Sequence, residues 1–439
     1  MIRKIIVFSL MTVFAATCFS QTLNKQRLDS LFTVLKENDK FMGSIAISKD
    51  GKLLYSNAIG YSDVDLSKKA DPKTQYRIGS VSKMFTAVLV LKAVEENKIQ
   101  LKQTLDPYFP QIENANKITI ENLLNHRSGI HNFTSDKLYL DYHTEPKSEK
   151  EMVEIIAKGK SDFEPNSKAQ YSNSNYVLLS YILEKIYSKP YAKILDAKII
   201  NPLSLMNTHS GGKTNSDKNE SFSYAFDDKW IKEDETDLSV PMGAGAIVST
   251  PRDLTIFIEQ LFAGKIITNH SLTLMKTMNE KFGLGMFEFT YAGNTGYGHT
   301  GGIDKFQSVL WYFPKEKLSV ALISNGMIYS IDQVLQGALS SYFNQTFEMP
   351  TFKSIVLKAA ELDQFLGTYA SAQMPVKIII TKNNDKLLAQ ATGQAAIVLD
   401  ATAPNVFQFE KFGIVMEFIK DKKQVVLKQS GKELLFTKE

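Results

Sequence analysis

Apolar residues recur at helical spacing through Met84, Val88, Leu91 and Val94, and Phe85 and Leu89 thicken the stripe. Residues 84–94 are therefore predicted to form a deeply buried helix. Leu28, Leu31, Phe32 and Leu35 mark an earlier helix by the same spacing. Residues 43–48 and 53–61 are β-rich runs on either side of Asp50-Gly51, the pattern of a hairpin with a tight turn. Residues 118–129 read as a short helix capped by Thr119 and stopped at Gly129. Residues 176–186 form another buried helix, and Pro251 opens one running through Leu261 with Ser249 or Thr250 as cap. Residues 306–313 and 319–325 read as strands joined by a turn at 314–317.

Two segments lack strong periodicity. Residues 131–166 are polar with a weak helical pattern, the texture of a covering segment. Residues 215–239 are acidic, lysine-rich and aromatic in patches, and read as a long surface loop. Both are expected to shape a pocket. From about residue 351 the texture changes to short apolar runs (376–381, 387–391, 397–399, 406–409, 415–419, 425–428 and 434–436) separated by turn residues. That rhythm indicates a small antiparallel barrel or sandwich. A chain of 439 residues exceeds one typical core, and we divide it into 21–345 and 355–439 after a leader at 1–20.

The leader reads as an export signal. Arg3 and Lys4 precede an apolar run over 5–16 that is too short for a stable span, and Cys18-Phe19-Ser20 supplies a cleavage site before Gln21. Cleavage removes Cys18, the only cysteine, so the mature chain has neither disulfide nor thiol nucleophile. Acylation of Cys18 is disfavoured by Thr17 before it. No other hydrophobic run is long enough to act as a transmembrane anchor, so the expected product is soluble and periplasmic or secreted. The charge balance, 51 basic against 47 acidic residues, and the scattered lysines give no argument for nucleic acid. The six histidines show no metal-binding spacing, so neither a metal site nor a cofactor is expected.

Three polar clusters carry candidate chemistry. Ser80 and Lys83 open the buried helix, where unpaired N–H groups favour developing negative charge and Lys83 projects from the same face. A lysine in an apolar pocket has a lowered pKa and can take the proton of a serine. Ser-x-x-Lys recurs at Ser210–Lys213 in a Gly-rich stretch with no buried helix behind it, and Ser80 alone would more often be an N-cap. Tyr171-Ser172-Asn173 stands at the mouth of the 176–186 helix, offering a phenol and an amide, or merely a helix cap. Gly298-His299-Thr300-Gly301-Gly302 precedes a strand; its glycines permit close approach to the backbone, while a lone histidine is usually structural.

Taken in order, Ser80/Lys83, Tyr171/Asn173 and His299/Gly301, together with Leu123-Leu124-Asn125-His126-Arg127-Ser128-Gly129, resemble the penicillin-recognising serine hydrolases. These include class C β-lactamases, low-molecular-weight penicillin-binding proteins, D-aminopeptidases and related esterases. The resemblance covers about residues 25–345, and the tail is similar to the lipocalin-like β domain that often follows such hydrolases. It implies an α/β fold, an antiparallel sheet flanked by helices beside an all-helical lobe, with the site between them. It further implies Ser80 as the acylated nucleophile, with Lys83 and Tyr171 as a coupled general base. Asn173, His299, Thr300 and Gly301 would bind substrate, and the N–H groups of Ser80 and Gly302 would form an oxyanion hole.

The β-lactamases of this group carry lysine where this chain has His299, and a histidine is a weaker anchor for a substrate carboxylate at pH 7. Hydrolysis of D-amino-acid-containing peptides (carboxypeptidase or aminopeptidase type) or of esters therefore ranks above β-lactam hydrolysis, and a peptidoglycan-derived substrate fits that class. A non-catalytic penicillin or peptidoglycan sensor is the rival from another class, opposed by the intact clusters. A lipase-type hydrolase would need a Gly-x-Ser-x-Gly elbow, which the chain lacks.

Overall fold

The computed structural model describes residues 22–409, 412–429 and 432–439. The expected export signal and Cys18 lie outside these residues. The elements that build the site are α1 (Lys25–Glu37), β1 (Phe41–Lys49), β2 (Lys52–Ile59), α2 (Ser82–Glu95), α3 (Asn173–Tyr187) and α4 (Pro251–Phe262). They continue with β3 (Phe287–Tyr291), β4 (Asn294–Ile303), β5 (Phe306–Phe313), β6 (Leu318–Met327) and α5 (Ile331–Phe343).

The β1–β2 hairpin turns at Asp50 and Gly51, both with positive φ (50° and 80°), the geometry whose twist matches the flanking strands. Six strands form one antiparallel sheet in the order β3-β4-β5-β6-β1-β2. The β1–β6 pair, with Ile45 opposite Leu322, joins stretches far apart in the chain. Alternation along β5 and β6 sends Val309, Trp311, Phe313, Val320 and Leu322 to one face, where α1 and α5 cover them. Leu310, Tyr312, Ala321 and Ile323 go to the other face and pack with α4 and the helical lobe. This is the β-lactamase/transpeptidase-like architecture expected from the motifs.

α2 is the axis of that second core. The sequence stripe predicts one buried face, yet every residue from Ser82 to Leu91 is buried and only Val94 of the named stripe is partly exposed. The reason is its position between α4, where Phe85 and Phe257 stack with centroids 3.8 Å apart, and α3 on the lobe side. The helix of residues 118–129 is shorter than predicted: Ile120–Leu124 is helical behind a Thr119 capping box, and residues 125–129 form an irregular turn.

Residues 367–438 close into an eight-stranded barrel, the first of the two arrangements left open by the strand rhythm. The closing pair joins Tyr369 to Lys438 and Ala370 to Thr437, which removes free strand edges. Its centre holds Phe407 and Phe418 in mutual ring contact with Phe365 from the turn just before the first strand. Phe352, in the segment between the two units, packs on Tyr329 beside β6. Among the described residues no helix is long and apolar enough to cross a membrane.

Phe85→Ala removes one ring of the stacked pair at the centre of the helical core. It should lower the unfolding free energy of the chain by about 3–5 kcal/mol in denaturant titration, whereas exposed Leu138→Ala should change it by less than about 0.5 kcal/mol.

Candidate active site

Ser80 lies in a 3₁₀ turn, Gly79–Val81, that runs into α2. Its hydroxyl caps nothing: the residue at the N-cap of α2 is Val81, without a side-chain bond. The turn is pinned from three sides. Ile78 N–H donates to Ile247 O at 3.0 Å, Ile247 N–H donates back to Ser82 Oγ at 3.1 Å, and Ser308 Oγ donates to Ile78 O at 2.7 Å. Gly79 has φ +49°, and a Cβ there would stand 2.8 Å from the backbone atoms of Gly302. A Cβ on Gly301 would meet Ile78 O and approach Ser80 N to 2.9 Å. Only glycine permits β4 to lie flush against the serine turn.

Lys83 Nζ is fully buried and lies within hydrogen-bond distance of Ser80 Oγ (3.0 Å), Asn173 Oδ1 (2.7 Å) and Ala244 O (2.8 Å). Burial holds its pKa well below the ordinary lysine range. Asn173 Oδ1 and Ala244 O can only accept, so each takes an N–H of Lys83, and the third direction at Nζ faces Ser80 Oγ. Tyr171 donates its hydroxyl to the same Oγ at 2.7 Å. Burial pushes the phenol above its ordinary value, with the Ser80 bond opposing, so it stands protonated as a donor. Ser172, at the N-cap of α3, makes no capping bond, and Asn173 is held instead by Asn132 and Thr134. The Asn173 amide therefore serves Lys83 and a neighbouring loop. Its expected substrate role competes with the Lys83 bond for Oδ1, while Nδ2 donates to Thr134 at 3.0 Å.

Ser80, Asn173, Thr134, Ala244 and Gly302 open on a cleft of about 560 Å³. Gly302 sits at its wall beside Ser80, whereas Gly301 is buried behind it and Thr300 is exposed. His299 does not line the cleft. Its ring is 2% exposed, packs on Phe287 at 4.3 Å and makes a short Nδ1 contact with Thr300 O. Burial lowers its pKa to about 3, so the ring is neutral. The cleft has no cation at this position.

Both weakly patterned segments reach the cleft. Residues 131–166 supply Phe133, Thr134 and Tyr139, and residues 215–239, which contain a hairpin at 224–232, supply Glu233, Asp234 and Thr236. Asp304 also lines it, paired with buried Arg77 at 3.1 Å. Lys305 is paired with Glu233 at 3.4 Å, and exposed Asp234 has no ion-pair partner among the described residues. The lining is net acidic. Ala244 O, Asn132 and Thr134 escaped notice in the sequence because a carbonyl acceptor and two loop side chains carry no pattern. The only trace is the small-residue run 243–246, where Gly243 lets the chain pass close to Thr86 and Ser180.

A family model described as Beta-lactamase matches residues 28–334. A teichoic acid D-alanine hydrolase from Staphylococcus aureus is 29% identical over 233 residues, 53% of this chain and 57% of that protein. The chain thus spans a little over half the length of the curated relatives it matches. The D-amino acid amidase from Ochrobactrum anthropi SV3 is similar in structure, with a TM-score of 0.60, 26% identity and coverage of 71% of this chain and 97% of that one. An octameric penicillin-binding protein homologue from Pyrococcus abyssi shares the fold over 94% of this chain and all of that one, with a TM-score of 0.68 at 20% identity.

The buried neutral His299 gives a pH signature. Between its folded pKa of about 3 and the ordinary histidine value near 6.5, the unfolded chain binds a proton that the native state refuses. Stability from this residue is complete above about pH 6.5 and falls by about 1.4 kcal/mol per pH unit below it. The unfolding free energy of His299→Gln, measured from pH 7 to 4, should fall less steeply than that of the wild type.

Proposed function

The chain belongs to the Beta-lactamase family of serine hydrolases, and from that premise we propose that it hydrolyses amides or esters of D-amino acids whose amino group is free. The observation that carries this reading is the convergence of Lys83 Nζ and Tyr171 OH on one serine oxygen, at 3.0 and 2.7 Å. Ser80 Oγ attacks the substrate carbonyl as its proton passes to the lone pair of Lys83. The N–H groups of Ser80 and Gly302 hold the oxyanion, each contributing about 3 kcal/mol to the transition state. As the tetrahedral adduct collapses, the proton returns through the Tyr171 hydroxyl to the departing nitrogen or oxygen. Water, activated by the same pair, then attacks the acyl ester and frees the acid.

Two observations support the substrate class. Asp234, exposed and without an ion-pair partner among the described residues, leaves the cleft lining net acidic, which favours an ammonium group on the acyl donor. Neutral, buried His299 gives no charge to a substrate carboxylate, which weighs against efficient β-lactam hydrolysis and against C-terminal carboxypeptidase action. The names of the similar proteins, a D-alanine hydrolase and a D-amino acid amidase, point the same way. Export with removal of residues 1–20, and a two-unit mature chain divided at 345–355, complete the proposal. A substrate drawn from the cell envelope fits that location.

Turnover of D-alanyl esters, D-amino acid amides, a D-Ala-D-Ala peptide and a chromogenic cephalosporin tests the reading. The free-amine amide or ester should give the highest kcat/KM, and N-acetylating it should lower that value about five-fold or more. A preference for the cephalosporin or the carboxylate-bearing peptide would contradict it. Ser80→Ala should abolish turnover, and Tyr171→Phe should lower kcat by about 10²–10⁴-fold.

A further inference from the structure

We propose that His126, which touches neither the cleft nor Ser80, is the positioning residue that sets the Tyr171 hydroxyl on Ser80; this rests on the reading of Tyr171 as a member of the catalytic pair. His126 holds Tyr171 on three sides. Its backbone carbonyl accepts the N–H of Gln170 at 2.9 Å, and its Nδ1 accepts the N–H of Ser172 at 3.2 Å. Between those two bonds its ring stacks on the Tyr171 ring, centroids 4.5 Å apart and planes 31° from parallel. One residue thus fixes the backbone before the tyrosine, the backbone after it, and the ring itself.

The geometry is built for this task. His126 adopts φ 58°, a left-handed conformation that a branched or bulky residue seldom takes. That turn lets carbonyl and imidazole face the same segment. The ring is walled by Tyr176 and Phe282 at 5.3 and 5.0 Å, so it has no room to rotate. Asn175 Nδ2 lies 3.4 Å from the same Nδ1, and two donors aimed at one nitrogen require that nitrogen to be unprotonated. The bracket extends down the turn: Arg127 O accepts from Asn166 N–H at 2.7 Å, and Gly129 O accepts from Asp162 N–H at 2.8 Å. Residues 126–129 therefore act as a template along which residues 162–172 are laid, with Tyr171 at its end. The Tyr171 hydroxyl has Ser80 Oγ as its hydrogen-bond partner, so its aim depends on how the ring is held.

A double-mutant cycle tests the role. His126→Asn tolerates the left-handed backbone and keeps an acceptor but removes the ring. It should lower kcat about 10–100-fold with KM within two-fold of wild type, while the fold, followed by the thermal midpoint, and slow labelling of Ser80 by a fluorophosphonate persist. In the Tyr171→Phe background the same substitution should cost less than about three-fold, because the group it aims is already gone. If His126→Asn does not fold, His126→Gly, which takes the left-handed backbone without steric cost, enters the same cycle with the same expectation. Equal losses in both backgrounds would overturn the positioning role while leaving Tyr171 catalytic. Full activity in Tyr171→Phe alone would overturn the reading of the site, and this inference with it.

Discussion

The structure depends on one buried amine. An ammonium group taken out of water loses several kcal/mol of solvation, and Lys83 is enclosed completely. What makes the position tenable is the pair of fixed acceptors, Asn173 Oδ1 and Ala244 O, each of which takes an N–H of Lys83. Those acceptors come from the mouth of α3 and from the small-residue run before α4, ninety and more positions away in the chain. The packing of α2 against α3 and α4 is therefore what brings the Lys83 amine to Ser80. A loosened interface on either side would let water reach the amine and restore its ordinary basicity.

The second constraint is backbone contact. β4 can approach the serine turn only because Gly79, Gly301 and Gly302 present no side chains there. The approach sets Ser80 and Gly302 along the same wall of the cleft. β4 carries its histidine, His299, on the same face as Gly301, where Phe287 covers the ring and the Tyr171 ring lies 6.3 Å away. A strand alternates sides with each residue. The residue that would carry charge toward a substrate in a related lysine-bearing site is here a buried neutral ring, and the cleft's net charge comes from Asp234 instead.

Much of this was legible from residue pattern. Helical spacing located α2, the Asp50-Gly51 pair located the first hairpin, and Pro251 behind Thr250 located the start of α4, whose cap is Thr250. Seven of the eight barrel strands were legible as short apolar runs, but strand order and closure were not, since a barrel and a sandwich share the same alternation. Within the site, Ser80, Lys83, Tyr171 and Asn173 stood out because each opens a strongly patterned helix. Three things could not be read. Ala244 contributes a carbonyl, which every residue has. Asn132 and Thr134 lie in a loop whose path is set by contacts with α3. The burial of His299 follows from the packing of Phe287 over its ring, which the run Gly-His-Thr-Gly-Gly does not foretell.

The central claim is that Lys83 rests as a neutral amine with its lone pair on Ser80. Lysine side-chain ¹⁵N NMR, with Lys83 assigned through the Lys83→Met spectrum and followed from pH 5 to 11, measures this directly. The account predicts that the Lys83 resonance changes to the neutral-amine shift well below the ordinary lysine value near 10.4, ahead of the surface lysines. A Lys83 resonance that stays with the ammonium signals and titrates together with the surface lysines would contradict it.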